Sequence, residues 1–297
     1  MDTLAAPLLR RQFRAMGTQI ELLVEAAEAT AALAAAEEEF HRLEALLSRF
    51  RADSELSRLN SNGTLAAGPD LLRVVELALA ATKRTGGRFD ITVHEAVVAA
   101  GYDRSFELVP AVAAAPALSP VPHTAAGVRH TAGVRVRDGV IRLGHGVRLD
   151  LGGSGKGYAC ERAAEILATA GPCLVNAGGD IATRAGTWTV SVETAAEPLT
   201  LELSGSSALA TSGRDLRRWH RGGRELHHLI DPATGLPSAS DLLRATAVAH
   251  DAIDAEVTAK ALFLAGADPA REEADRLGIP ALLVTQDGRT ILAGGLA

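Results

Sequence analysis

The sequence predicts an α+β fold, one domain over residues 1–297 in which two α/β lobes pack tightly through antiparallel meander sheets. Strand-like runs outnumber helical ones and often follow one another directly, unlike the strand–helix alternation of a doubly wound parallel sheet. No internal repeat or clean linker divides the chain. With 297 residues, 47% of them hydrophobic, it can fill a sizeable core.

In chain order, residues 18–25 (TQIELLVE) read as a strand, and residues 28–47, rich in the strong helix formers Ala, Leu and Glu, as a helix. A second helix is predicted over 70–84, with Gly86-Gly87 as its stop signal. Residues 109–132, dense in Ala, Pro and Val without periodicity, read as a variable loop or insertion. Short β-like runs follow at 146–151, 172–176, 187–193, 199–203, 226–230 and 244–249, interleaved with helices at 157–170 and 253–264.

The net charge of −6 and the lack of any block of like charge argue against nucleic acid or an anionic membrane surface as partner. The cluster Arg214, Arg217, Arg218, His220, Arg221 and Arg224 reads as a solvated loop. Two cysteines, Cys160 and Cys173, lie in apolar segments and imply no disulfide framework. The N-terminal segment lacks a basic start and a cleavage signal, and no run approaches the roughly 18 apolar residues of a membrane span. A cytoplasmic protein is expected.

Three segments carry chemistry. The loop DLGGSGKGY (150–158) fails as a P-loop, which needs Gly at 150 and a hydroxyl at 157 where Asp150 and Gly157 stand. It also fails as a dinucleotide fingerprint, because Tyr158 occupies the last glycine position. What survives is a loop of backbone N–H groups, a lysine and a helix start, suited to an anion; a tight turn that merely needs glycine is the alternative.

In DAIDAEVTAKALFLAG (251–266), about 100° per residue puts Asp254 and Thr258 on one side of a helix and Glu256 and Lys260 on the other. Glu256 and Lys260 are expected to form an exposed i,i+4 pair, and Asp254 and Thr258 to face the interior or a cleft. A carboxylate and a hydroxyl there suit Mg²⁺; the alternative is helix capping around Asp251.

HHLIDPATGLP (227–237) delivers a histidine to a turn, as a proton acceptor or as a structural bond to that turn. LATSG (209–213) would add hydroxyls and flexible backbone nearby, and VNAGGDI (175–181) another turn. No GxSxG, HExxH or paired CxxC motif is present.

Taken in order, AMGT (15–18), LSRFRADSELSRLN (47–60), GGRFDITV (86–93), GYDRSF (101–106), DLGGSGKGYA (150–159), VNAGGDI, ATSG (210–213), HHLIDPATGLP and DAEVT (254–258) resemble the ApbE-type FAD:protein FMN transferase family over nearly the whole chain. The resemblance implies two related α+β subdomains with the flavin site between them. It also implies Mg²⁺-assisted cleavage of FAD, with transfer of FMN to a Thr or Ser hydroxyl of an acceptor protein and release of AMP. It assigns FAD contacts to Met16, Phe50, Arg88, Phe89, Asp90, Asp150, Lys156 and Leu229, metal ligation to Gly153, Asp254, Val257 and Thr258, and the base to His228. Gly155 stands where the family commonly has alanine and Ile91 where it has proline, and the secretion signal of many relatives is missing. The acceptor would carry a D-x-x-[ST]-G-A-[ST] stretch, and none occurs in this chain, so self-flavinylation is not expected. The rival functions are an FAD pyrophosphatase giving FMN and AMP, and a flavin-binding protein without turnover.

Overall fold

The strand 18–25 is the second arm of a hairpin in the computed structural model, which describes residues 6–113 and 133–296. Strands β1 (Leu8–Ala15) and β2 (Thr18–Glu25) are followed by α1 (Thr30–Leu47), α2 (Glu55–Asn62), β3 (Thr64–Ala66), α3 (Pro69–Arg84), α4 (His94–Ala99) and β4 (Val112–Ala113). The chain continues through β5 (Val134–Arg137), β6 (Val140–Leu143), α5 (Gly155–Leu167), β7 (Cys173–Ala177), β8 (Asp180–Arg184), β9 (Thr187–Val192), β10 (Leu199–Ser204) and β11 (Ser207–Gly213). It ends with β12 (Arg218–Arg221), β13 (Arg224–His227), β14 (Ile230–Asp231), β15 (Leu236–Pro237), β16 (Leu242–Ala249), α6 (Ala252–Ala265), α7 (Ala267–Leu277), β17 (Ala281–Thr285) and β18 (Thr290–Ala293).

Eight strands form one antiparallel sheet in the order β1-β2-β7-β8-β11-β16-β17-β18. Period-two alternation sorts its side chains onto two faces. Val175, Ala182, Ala208, Ala210, Ala247 and Leu283 join the main core with residues of α1, α5 and α6. Leu174, Ile181, Leu209, Leu282 and Val284 point the other way, into a smaller cluster with Trp188, Val190 and Leu203 of the β9–β10 hairpin. The alanines on the helical side let α6 lie close against β11 and β16. Tight packing recurs between helices: a Cβ on Gly157 of α5 would come within 2.6 Å of the Ala252 carbonyl at the start of α6.

Local signals place the helix ends. Ser54 caps α2 by accepting from Ser57 N–H, and Gly63 closes it in the left-handed region at φ 69°. Pro69 opens α3. Asp251 caps α6, accepting from Asp254 N–H at 2.8 Å.

Four expectations need correction. Residues 146–151 form no strand: the Asn60 amide takes both backbone groups of Leu149, donating to its carbonyl at 2.8 Å and accepting from its N–H at 2.7 Å. The run 226–230 is broken at 228–229 between β13 and β14. LATSG is no flexible loop but the central strand β11, with Thr211 and Thr246 hydroxyls 2.8 Å apart across the β11–β16 pair. The basic cluster is largely the hairpin β12–β13 rather than a loop. Of the segment 109–132, residues 114–132 lie outside the described residues. Both cysteines are free and buried, and no helix among the described residues is long and apolar enough to cross a membrane.

Candidate active site

A cavity of about 340 Å³ opens where the β1–β2 turn, the end of α1, the loop before α5 and the β13–β14 break converge. That size lies within the roughly 300–1,000 Å³ of small-molecule sites. The structure brings Met16, Phe50, Arg88, Phe89, Asp90, Asp150, Gly153, Lys156, His228 and Leu229 to its wall.

Each wall residue has a local reason to be there. Met16 and Gly17 take positive φ values of 52° and 68° in the β1–β2 turn, and Met16 N–H donates to the Glu44 carboxylate at 2.7 Å. A non-glycine residue in that region is uncommon and marks a constrained turn at the rim. Phe50 remains 38% exposed, with its ring centroid 5.6 Å from that of Tyr102. The Arg49 guanidinium lies 4.2 Å from the Phe50 centroid, so a further aromatic ring could stack on this platform. Arg88 is held by Glu273 at 2.6 Å, and Asp90 accepts from Thr92 N–H and hydroxyl, both at 2.7 Å.

The deeper end is polar. Helix α5 starts at Gly155, and Gly155 and Lys156 line the cavity at its positive dipole end, with Gly155 N–H bonded to the Leu151 carbonyl. Lys156 donates to Asp180 and, at 2.6 Å, to Glu256, whose other oxygen accepts from Gly157 N–H at 2.9 Å. Burial alone would lower the Lys156 pKa, but the two carboxylates outweigh it and hold the ammonium above its ordinary value. Burial pushes Asp180 up to about 6, with Lys156 limiting the rise. Burial would likewise raise Asp150, but Arg49 at 2.9 Å and the Gly152 N–H hold it below the usual carboxylate range.

The two histidines divide the work. His227 is buried, donating from Nε2 to the Ser238 carbonyl at 3.0 Å and accepting at Nδ1 from Leu229 N–H at 3.3 Å. The bond accepted at Nδ1 requires the neutral ring. Burial, aided by Arg214, lowers its pKa to about 4. A folded pKa below the unfolded value of about 6.5 gives stability that is present above pH ~6.5 and lost as pH falls through ~4. The melting temperature should therefore drop across that window by the equivalent of about 3 kcal/mol, and His227→Phe should flatten the dependence. A wild-type profile flat from pH 7 to 4 would contradict this role. His228 has no hydrogen-bond partner among the described residues, and its Nδ1 is buried. Burial and the nearby cations Arg217 and Lys260 hold it neutral, with a pKa well below the ordinary imidazole value.

The orientation expected of α6 is reversed. Asp254 is 45% exposed and paired with Arg84 at 2.6 Å, in the first turn where a carboxylate favours the helix dipole. Thr258 does not line the cavity, and Val257 is fully buried in the core. Glu256 is buried against Lys156, and Lys260 lines the cavity; the two do not pair on a solvated face. Glu256, Lys260, Asp180, Arg49 and Arg217 were thus missed as site residues. A carboxylate and an ammonium four apart in a helix whose other residues, Asp254 and Thr258 aside, are apolar were the available signal for the first two.

Mg²⁺ asks for oxygen ligands in near-octahedral array. Here Asp150 is engaged by Arg49, Asp180 and Glu256 by Lys156, and the space beside Gly153 by the Lys260 ammonium, with which a Cβ at residue 153 would collide. Among the described residues no three His, Cys, Asp or Glu side chains are grouped to hold a metal. The carboxylates around Gly153 are thus already paired with cations and form no open ligand set for a divalent cation there.

Comparison with known proteins agrees with this architecture. The sequence model of the ApbE family matches residues 16–283. An FAD:protein FMN transferase of Salmonella typhimurium is 26% identical over 267 residues, covering 82% of this chain and 73% of that protein. One from Treponema pallidum is 27% identical over 296 residues, covering 91% and 82%. Among solved structures, the ApbE protein of Thermotoga maritima superposes with a TM-score of 0.84 at 24% identity, covering 97% of each chain. The apo flavinyl transferase ApbE of Pseudomonas stutzeri gives 0.84 at 20% identity, covering 99% of this chain and 96% of that one. With its family model matched from the β1–β2 turn to β17 and its fold shared across the full length of solved relatives, the chain belongs to the ApbE family.

Proposed function

We propose that this protein is an FAD:protein FMN transferase, moving FMN from FAD to a Thr or Ser hydroxyl of an acceptor protein with a D-x-x-[ST]-G-A-[ST] stretch and releasing AMP. The observation that carries the reading is one cavity holding an aromatic platform at Phe50, a helix N-terminus with Lys156, and His228, a histidine without a hydrogen-bond partner among the described residues.

The aromatic platform accommodates a ring system of FAD, and the α5 N-terminus receives the pyrophosphate. The acceptor hydroxyl oxygen forms a bond to the FMN-side phosphorus as the bond from that phosphorus to the bridging oxygen breaks. The electron pair leaves with AMP, and the hydroxyl proton passes to the neutral ring of His228. Cations at the phosphates stabilise the charge that spreads over their oxygens. Burial, aided by neighbouring cations, holds His228 neutral in the free protein; a bound pyrophosphate offsets the cations' charge and raises its basicity.

Mass spectrometry of an acceptor carrying the motif, mixed with this protein and FAD, tests the reading. The expected product is a phosphoester-linked FMN adduct with one AMP released per adduct. An AMP-linked acceptor, or no adduct on any such acceptor, would refute it. Free FMN and AMP formed equally fast without acceptor would instead identify a pyrophosphatase.

A further inference from the structure

We propose that the Lys260 ammonium does the work of a divalent cation in this chain: with Lys156 it neutralises the pyrophosphate of the bound substrate, so that substrate binding and cleavage need no added metal.

Position is the first ground. Lys260 reaches from α6 to Gly153, in the loop that leads into α5, close enough that a Cβ there would meet its Nζ. The second is commitment. Lys156 is occupied by two carboxylates, whereas Lys260 makes no hydrogen bond or ion pair among the described residues and lies 5.8 Å from the Phe89 ring centroid. It is the lysine whose charge remains available to a ligand.

Charge balance is the third ground. The carboxylates of Asp180 and Glu256 carry two negative charges and Lys156 one positive, so the group is neutral only when Lys260 is counted. Without Lys260 it would repel a pyrophosphate and attract a cation. Burial lowers the Lys260 pKa against the opposing pull of Glu256, so an arriving phosphate oxygen restores a charge that desolvation disfavours. A structural role has no support, since Lys260 has no hydrogen-bond or ion-pair partner among the described residues.

The inference rests on the transferase reading only for the identity of the pyrophosphate, and the test separates the two. Mg²⁺ and Mn²⁺ are titrated by calorimetry into the metal-free protein without FAD, and FAD binding is followed by flavin fluorescence in EDTA and in Mg²⁺. Wild type should show no saturable divalent binding at millimolar cation, and equal FAD affinity in both buffers. Lys260→Ala should lose about 10- to 100-fold in FAD affinity in EDTA, the usual size for a charge-assisted hydrogen bond. It should also gain saturable Mg²⁺ binding that recovers part of that loss. If it does not fold, Gly153→Ala, which displaces the ammonium while keeping its charge, should weaken FAD binding instead. Saturable Mg²⁺ binding to wild type that Glu256→Gln removes, or loss of FAD affinity in EDTA, would overturn the proposal. So would a folded Lys260→Ala that binds FAD as wild type does. Failure of wild type to bind FAD in either buffer would sink the transferase reading, while the metal titration would still decide the role of Lys260.

Discussion

Lys156→Met should destabilise the protein by about 3–5 kcal/mol near neutral pH, the usual cost of removing one partner from a buried ion pair. The side chains left behind, Asp180 and Glu256, are 4% and 5% exposed, and neither has another ion pair among the described residues. Asp180, already pushed up to about 6 by burial with Lys156 limiting the rise, must then titrate higher still in the folded variant. A raised carboxyl pKa means that the folded state binds more protons, so stability is regained as pH falls toward ~4 and is lost as pH rises through the folded pKa. Urea unfolding at pH 8 and pH 5 would check this, with the variant closer to wild type at the lower pH. Adding Asp180→Asn and Glu256→Gln to Lys156→Met should recover most of the loss, because the amide oxygen of Gln can still accept from Gly157 N–H. A deficit below ~1 kcal/mol, the same at both pH values, would show that the three charges do not organise the α5–α6 contact.

The strands and helices legible in the sequence are those whose local pattern agrees with their environment. TQIELLVE alternates and becomes β2, and the Ala- and Glu-rich run becomes α1. The antiparallel arrangement followed from strands that succeed one another without intervening helices. Elements whose structure depends on distant partners were not legible. SALATSG is a central strand made of small residues, chosen for close packing under α6 rather than for strand propensity. LLRRQFRA becomes β1 with Arg10 and Arg14 on its exposed face, as suits an edge strand. Residues 146–151 have a strand-like composition, yet a side chain 89 positions away from Leu149 supplies the bonds that a neighbouring strand would have made.

The site was legible in its loops and misread on its helix. Angular arithmetic correctly set Asp254 and Thr258 against Glu256 and Lys260, but nothing local says which side of α6 meets solvent. Nine of its fourteen residues are buried, so it has no single polar face. The deciding partners are remote: Arg84, 170 positions from Asp254, holds one carboxylate outside, and Lys156, 100 positions from Glu256, holds the other inside. A buried carboxylate needs a cation, but several cations compete for the role, and chain topology decides which one arrives.

His228→Ala should reduce transfer of FMN to the acceptor by about 10²–10⁴-fold, the range for loss of a general base, while FAD affinity changes little. The ring lines the cavity without a hydrogen-bond partner among the described residues, whereas its neighbour His227 carries the structural bonds to Leu229 and Ser238. Removing His228 therefore deletes a proton acceptor and leaves the β13–β14 break supported. Because its pKa lies well below the ordinary value, the neutral form prevails at pH 7, and wild-type kcat/KM should fall only as the medium becomes more acid than ~6.5. In the variant that acid limb should disappear, and added imidazole should restore part of the rate. FAD titration of both proteins supplies the control. A loss of affinity equal to the loss of rate would make His228 a flavin-positioning residue, and a variant rate that keeps the acid limb would place the base elsewhere in the cavity.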